Sequence, residues 1–113
     1  MIDEELAERV RVALDGRADE PPRKMFGGLA FMVDGHLAVC VGDGDLLVRT
    51  TDVGTHVRAD GTGPLTPMVM GGRTSKTWLH VAPEALVADE ALQKWVAIGV
   101  AVAGSLPPKQ PEA

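Results

Sequence analysis

Three basic side chains, Arg49, Arg73 and Lys76, are the residues in this sequence whose positions best suit binding of an anion. Arg49 ends an apolar run, and a guanidinium in such a place needs a partner if it is covered. It can bind an anionic ligand, pair with a carboxylate across a dimer, or lie at an exposed edge of the outer face. Arg73 and Lys76 belong to a glycine-led connection that can hold a phosphate or carboxylate, or be an ordinary solvated hairpin turn.

Three histidines and one cysteine raise the question of a metal site. His36 and Cys40 are four residues apart in one predicted strand, hence about 13 Å along it, too far to share a first coordination shell. His56 and His80 fall in other elements, and no C-x-x-C or H-x-H pair is present. We therefore expect no metal and no cofactor, and we interpret Cys40 as a small buried apolar residue.

Nucleophilic and acid–base catalysis find no better support. Neither Ser75 nor Ser105 lies in a G-x-S-x-G context. The carboxylates Asp43, Asp45 and Asp52 are scattered over predicted hairpin and helix ends and do not predict a working pair. The sequence names no catalytic residue and does not indicate an enzyme.

Length and charge bound the remaining possibilities. A chain of 113 residues predicts a single domain, which we place at 1–106, followed by an extended tail at 107–113. The net charge of −5 argues against direct binding of nucleic acid. A lone cysteine suits a reducing cytoplasm, and we expect neither a signal peptide nor a membrane span.

Hydrophobic periodicity and turn residues place the elements. An amphipathic helix is predicted at about 3–15, with Gly16 just beyond it, and residues 17–24 are predicted to be a loop. Asp34-Gly35 predicts a type I′ hairpin and Asp43-Gly44 a second hairpin. The predicted strands are 28–33, 36–42, 45–50, 65–70 and 76–82, with a short helix at 52–59 and a last helix, capped by Asp89, to about 104. This α-β-β-β-α-β-β-α order defines an α+β fold, a two-layer sandwich with helices mainly on one side of an antiparallel sheet.

The predicted sheet is apolar on both faces. Strict alternation puts Leu37, Val39 and Val41 on one face and Ala38 and Cys40 on the other. A sheet with two apolar faces is usually covered on both. Helices supply one cover, and a second subunit is our expectation for the other; the second half of the last helix, apolar almost all round, supports it.

The element Lys24-Met25-Phe26-Gly27-Gly28 has two interpretations. It can form a binding lip, or Phe26 and Met25 can fill the core while the glycines let the first helix pack against the strand. A phosphate cradle is disfavoured, because no helix N-terminus follows to supply its amides.

The sequence resembles the TfoX/Sxy N-terminal domain family. The resemblance rests on an acidic first helix and on motifs spread along the chain: Lys24–Phe31, Leu46-Leu47-Val48-Arg49, Trp95-Val96 and Leu106-Pro107-Pro108-Lys109. It implies a fold similar to that of type III secretion chaperones. Two-domain members promote competence gene expression alongside a cyclic-AMP-responsive activator and carry a helical C-terminal domain that is absent from this sequence, so we expect a stand-alone N-terminal domain.

Together these observations predict a non-enzymatic interaction or regulatory module, homodimeric and with an unidentified protein partner. The alternative is a small-molecule or anion binder, with modest catalysis as a further possibility, that uses Arg49, Arg73 and Lys76.

Overall fold

The computed structural model describes residues 2–19, 21–25, 27–58, 60 and 62–107. Two helices and six strands follow one another along the chain: α1 Glu4–Leu14, β1 Arg23–Met25, β2 Gly28–Val33, β3 His36–Val41, β4 Leu46–Arg49, β5 Leu65–Met70, β6 Arg73–Val81 and α2 Asp89–Ser105. Two single 3₁₀ turns, Val53–Thr55 and Pro83–Ala85, lie in the connections.

All six strands form one antiparallel sheet in the order β1-β2-β3-β4-β6-β5. Both helices lie on the same face. The main core, between helices and sheet, includes Leu6, Val10, Leu92 and Val96 from the helices together with Phe31, Val39, Val41, Leu46, Val48, Leu79 and Val81 from the strands. The predicted α+β class with a helix layer on one side of an antiparallel sheet is confirmed.

Helix α1 is fixed at both ends by local contacts. The Asp3 carboxylate accepts a hydrogen bond from the Leu6 backbone N–H at 3.0 Å, as an N-cap does. Asp15 ends the helix in the left-handed region at φ 50°, and Gly16 follows at φ 76°. The Asp3 backbone N–H also donates to the Gly42 carbonyl, which ties the start of the helix to the β3–β4 hairpin.

The β2–β3 hairpin turns at Asp34-Gly35, as predicted. Both residues have positive φ, 53° and 82°, as a type I′ turn requires. Their backbone N–H groups donate to the two carboxylate oxygens of Asp19, at 3.2 and 2.9 Å. The Asp19 backbone N–H in turn donates to the Met32 carbonyl at 2.7 Å, so the α1–β1 segment clamps the end of this hairpin.

A register shift between Phe31 and Met32 changes which side chains share a face. Leu37 packs with Met32 and Cys40, while Ala38 packs with Val33 and Ala103 of α2. The predicted alternation, which put Leu37 with Val39 and Ala38 with Cys40, is wrong at this point. A β-bulge inserts one residue and so reverses the faces beyond it.

Three smaller expectations also differ from the structure. Residues 23–25, predicted as loop, form the edge strand β1. The predicted helix at 52–59 is reduced to the 3₁₀ turn Val53–Thr55, with Asp52 capping it through the Gly54 N–H at 2.9 Å. Asp89 does not cap α2: the N-cap is Ala88, and Asp89 is the first helical residue.

Helix α2 lies very close to the sheet at Gly99. A Cβ at this position would lie 2.5 Å from the Ala38 carbonyl oxygen and 2.8 Å from a Val39 methyl. Glycine therefore sets the distance between α2 and β3. On the opposite side of the helix, Ala97, Ala101 and Gly104 are exposed, so the apolar second half of α2 has a bare outer stripe of small residues.

Candidate functional site

The face of the sheet opposite the helices carries its own apolar cluster, here called the open-face cluster. Its buried members are Ala30, Met32, Leu37 and Cys40, and the half-buried Met25, Leu47 and Trp78 pack against them. Every one of these residues comes from a strand, since the two helices lie on the other face. The expectation of a sheet apolar on both faces is confirmed.

Arg49 lies at the edge of the open-face cluster. Its guanidinium carbon is 4.3 Å from the centre of the Trp78 ring, a cation–π distance, because Arg49 and Trp78 are register partners on β4 and β6. Its Nε–H donates to the Leu37 carbonyl at 2.6 Å. Burial lowers the pKa of the Arg49 guanidinium. Its two terminal nitrogens make no hydrogen bond to the described residues.

The other two predicted anion-binding residues lie elsewhere on the sheet. Arg73 begins β6 directly after the tight Gly71-Gly72 turn, and Lys76 follows on the same strand; both side chains are exposed. The register of β6 on β5 shifts between Thr74 and Leu79. Within that stretch the Ser75 Oγ accepts from the backbone N–H groups of Thr77 and Trp78, at 3.2 and 2.9 Å. The structure brings Arg49 onto Trp78 and leaves Arg73 and Lys76 facing solvent.

The histidines occupy three separate places. His36 Nε2 is 2.6 Å from the Pro107 carbonyl oxygen, and the ring of His56 packs edge-on against Trp95 with centroids 5.5 Å apart. His80 Nε2 is 2.5 Å from Asp45 Oδ2 on the open face. Within the described part of the chain, no three His, Cys, Asp or Glu side chains converge as metal ligands would.

Asp45 and His80 form a polar pair that sequence spacing did not indicate. They line a cavity of about 140 Å³ on the open face together with Cys40, Leu47 and Met68. Burial, aided by the charge of Asp45, raises the pKa of the Cys40 thiol to about 11. Cys40 is 5% exposed, as predicted for a small buried apolar residue, and its pKa keeps it protonated at neutral pH.

The described residues of the Met25–Gly28 element form the β1–β2 hairpin. Met25 and Gly28 are register partners at the β1–β2 hairpin, and Gly27 has φ 73°. A Cβ on Gly28 would lie 2.4 Å from the Val41 carbonyl oxygen, so this glycine lets β2 approach β3 rather than the first helix. The interpretation of Phe26 as a core residue concerns a position outside the described residues.

A second concave surface lies on the helix side, between α1 and α2. A cavity of about 300 Å³ there is lined by the apolar Val12, Ala13 and Leu92 and by the acidic Glu5 and Glu8. Arg9 crosses the end of this groove and donates to the Leu86 carbonyl at 2.8 Å and to the Asp89 carboxylate at 3.1 Å. This arginine fastens α1 to the segment that precedes α2.

The α+β architecture with one helix-covered face defines a small sheet-based domain. The family model for the TfoX N-terminal domain matches residues 13–103. Since this match covers most of the 113 residues, the chain belongs to the TfoX N-terminal domain family. Membership indicates a regulatory or interaction module. Comparison with curated proteins and with solved structures gives no match.

Neither described helix combines the length and the continuous apolar character needed to cross a lipid bilayer.

Proposed function

We propose that this chain is a non-enzymatic interaction module that forms a homodimer through the open face of its sheet and acts through protein contacts. The observation that carries the proposal is the open-face cluster, which remains after one chain has covered the other face with both of its helices. The absence of a disulfide partner for Cys40 is compatible with work in a reducing compartment such as the cytoplasm.

The composition of the open face supports association. Interfaces between proteins are enriched in Trp, Met and Arg at their centres, where these side chains give large contact areas. Met25, Leu47, Met68 and Trp78 are half-buried on this face, and the Arg49 guanidinium lies over Trp78. A face of this kind suits packing against a second sheet, which requires interdigitating apolar side chains at about 10 Å between sheets.

Binding of a small anion is the second candidate, because the terminal nitrogens of Arg49 have no acceptor among the described residues. Arg73 and Lys76 lie on the neighbouring strand β6, and both side chains are exposed. Thermal-shift measurement with phosphate, carboxylates and nucleotides tests this candidate. A ligand present at one hundred times its Kd adds about 2.7 kcal/mol to the free energy of unfolding, and a flat response across the panel removes it.

The homodimer is tested by sedimentation velocity and by light scattering after size exclusion. The wild type is expected at twice the 11.9 kDa mass of one chain. Leu47→Lys places a charge at the centre of the open face and is expected to yield the single-chain mass. The matched control is Val12→Lys, because Val12 is 70% exposed on α1, on the helix side of the molecule.

The circular dichroism of both variants shows whether each is folded, and Met68→Lys replaces Leu47→Lys if that variant does not fold. A wild type that stays a monomer at every concentration overturns the proposed dimer. A dimer that Val12→Lys disrupts and Leu47→Lys does not overturns the open face as its interface.

A further inference from the structure

An acid, a leucine and a base occupy alternate positions at β4: Asp45 directly precedes the strand, and Leu47 and Arg49 belong to it. Their side chains reach the same open face: Asp45 and Leu47 line the cavity beside Cys40, and Arg49 lies over Trp78. Positions 45 and 49 are about 13 Å apart along an extended chain, with Leu47 midway between them. The open face therefore has opposite charges at equal distances from one central apolar residue.

Both charged groups keep unused hydrogen-bonding capacity. The Asp45 side chain is 36% exposed, and Oδ2 accepts from His80 while Oδ1 makes no hydrogen bond to the described residues. Arg49 uses its Nε–H on the Leu37 carbonyl, and its terminal nitrogens make no hydrogen bond to the described residues. A guanidinium with free terminal N–H groups pairs best with a carboxylate.

We propose that two copies pack open face against open face around a two-fold axis near Leu47, so that each Arg49 pairs with the Asp45 of the second copy. This inference rests on the proposed homodimer and names the contact that fixes its geometry. In a two-fold interface, a contact between residue i of one copy and residue j of the second copy is always matched by a contact between residue j of the first copy and residue i of the second. An acid and a base at equal distances on either side of the axis therefore form two equivalent ion pairs.

The dimensions of packed sheets allow the contact. A two-fold axis that lies between the two sheets, parallel to them and at right angles to β4 at Leu47, makes the two β4 strands antiparallel, and residue 49 then lies above residue 45 of the second copy. Facing sheets cross at about 30°, which displaces positions about 7 Å from the axis by roughly 3–4 Å. An arginine side chain covers this displacement and the gap of about 10 Å between sheets together with an opposing aspartate.

The self-complementary charge pattern selects a second copy over an unrelated protein. A foreign partner would need a base and an acid placed at the mirrored positions, whereas a copy of this chain has them by symmetry. Because the pairs flank an apolar centre, they are partly shielded from water. Loss of one member leaves the other charge unpaired, which is costly in such a place.

Single charge reversals test the pairing. Arg49→Asp puts acids at both positions, and Asp45→Arg puts bases at both, so each variant repels its own copies. We expect each to raise the dimer dissociation constant at least about 100-fold, measured by sedimentation velocity. Arg11→Asp, an equal charge change on the exposed surface of α1, is the control and is expected to dimerise as the wild type does.

Mixing the two reversed variants gives the decisive readout. Acids at 45 and 49 of one copy face bases at 49 and 45 of the other, so an equimolar mixture is expected to form a heterodimer although neither variant dimerises alone. If one variant is unfolded by circular dichroism, the doubly exchanged Asp45→Arg/Arg49→Asp chain replaces the mixture and is expected to recover dimer formation to within about tenfold of the wild type.

Failure of this pairing is distinguishable from failure of the proposed function. A monomeric wild type overturns both. A dimer that neither reversal weakens, or reversed variants that fail to associate when mixed, overturns the Arg49–Asp45 contact and leaves the homodimer standing. Capture of a different protein by a wild type that does not self-associate also overturns it.

Discussion

Cys40 shows how burial sets the chemistry of a single side chain. Its thiol is within the open-face cluster, 3.7 Å from the Met25 carbonyl oxygen, and only 5% of the residue is exposed. Burial first, and the nearby Asp45 charge second, raise its pKa from an ordinary value of 9.0 to about 11. The thiolate is the nucleophilic form of cysteine, and the raised pKa disfavours it at neutral pH.

The raised pKa of Cys40 predicts a pH dependence of stability. The folded chain holds the thiol proton more tightly than the unfolded chain, so this contribution is complete below pH 9.0 and is lost as the pH rises through about 11. We expect the free energy of unfolding of the wild type to fall over that interval more steeply than that of Cys40→Ala. Urea unfolding followed by tryptophan fluorescence measures both, and the lysines, common to both chains, cancel. Parallel pH curves would contradict the prediction.

Substitution by alanine at two glycines of α2 is expected to change the stability of the fold in opposite directions. Gly99→Ala places a methyl 2.5 Å from the Ala38 carbonyl oxygen, and relieving this clash by moving α2 costs about 1–3 kcal/mol. At Gly104 the nearest atom to a new Cβ is a Val33 methyl at 3.8 Å. Gly104→Ala is therefore expected to stabilise by about 0.5 kcal/mol, through the lower entropy of the unfolded chain. Chemical denaturation of the pair checks the sign, and equal effects would refute the close approach at Gly99.

At the scale of elements, the Asp19 carboxylate joins the segment before β1 to the β2–β3 hairpin through its bonds to the turn N–H groups. Asp19→Ala leaves these two donors to water and is expected to lower the free energy of unfolding by about 1 kcal/mol. Asp43→Ala, at the exposed tip of the β3–β4 hairpin, is the control, with an expected change within about 0.5 kcal/mol. Similar losses for both variants in urea unfolding would argue against the clamp.

Elements that are specified by residues within a few positions of one another could be predicted from the sequence, and elements that depend on contacts between distant segments could not. The Asp34-Gly35 turn and strand β2 were predictable because turn residues and apolar runs specify them within a few positions. The bulge opposite Phe31 was not, because it depends on how β2 registers on β3, and its result was that Leu37 and Ala38 exchanged faces. The short β1 has too few residues for a period to be visible.

The same distinction applies to the candidate site. Arg49 could be selected from the sequence because a charge beside an apolar run stands out, and the apolar character of both sheet faces could be read from the strands. The contact of Arg49 with Trp78 and the Asp45–His80 pair both form because β4 lies next to β6. These two strands are separated in the sequence by a long connection and by β5. The spacing of residues within either strand does not indicate that the two strands are neighbours in the sheet.

At the scale of the whole molecule, the two faces of the sheet have unequal protection. The two helices cover one face of the sheet. The sheet side chains on that face are almost wholly inaccessible, among them Val39, Val41, Leu46 and Val48. The open face depends on the reach of its own longer side chains, such as Trp78 and Arg49, to shelter Leu37 and Met32. Association through that face would cover the half-buried Met25, Leu47 and Trp78, and the stability of the fold would then depend on protein concentration.

Concentration-dependent stability is the last prediction. When unfolding separates two copies, each tenfold rise in protein concentration adds about 1.4 kcal/mol per mole of dimer, so the wild-type thermal midpoint is expected to rise with concentration. Arg49→Asp, a single chain in the proposed scheme, is expected to unfold at a midpoint that does not move, and Arg11→Asp should follow the wild type. Differential scanning calorimetry over a hundredfold range of concentration measures all three. A wild-type midpoint that stays constant over that range would show that the fold gains nothing from a second copy, and the open face would then need another partner.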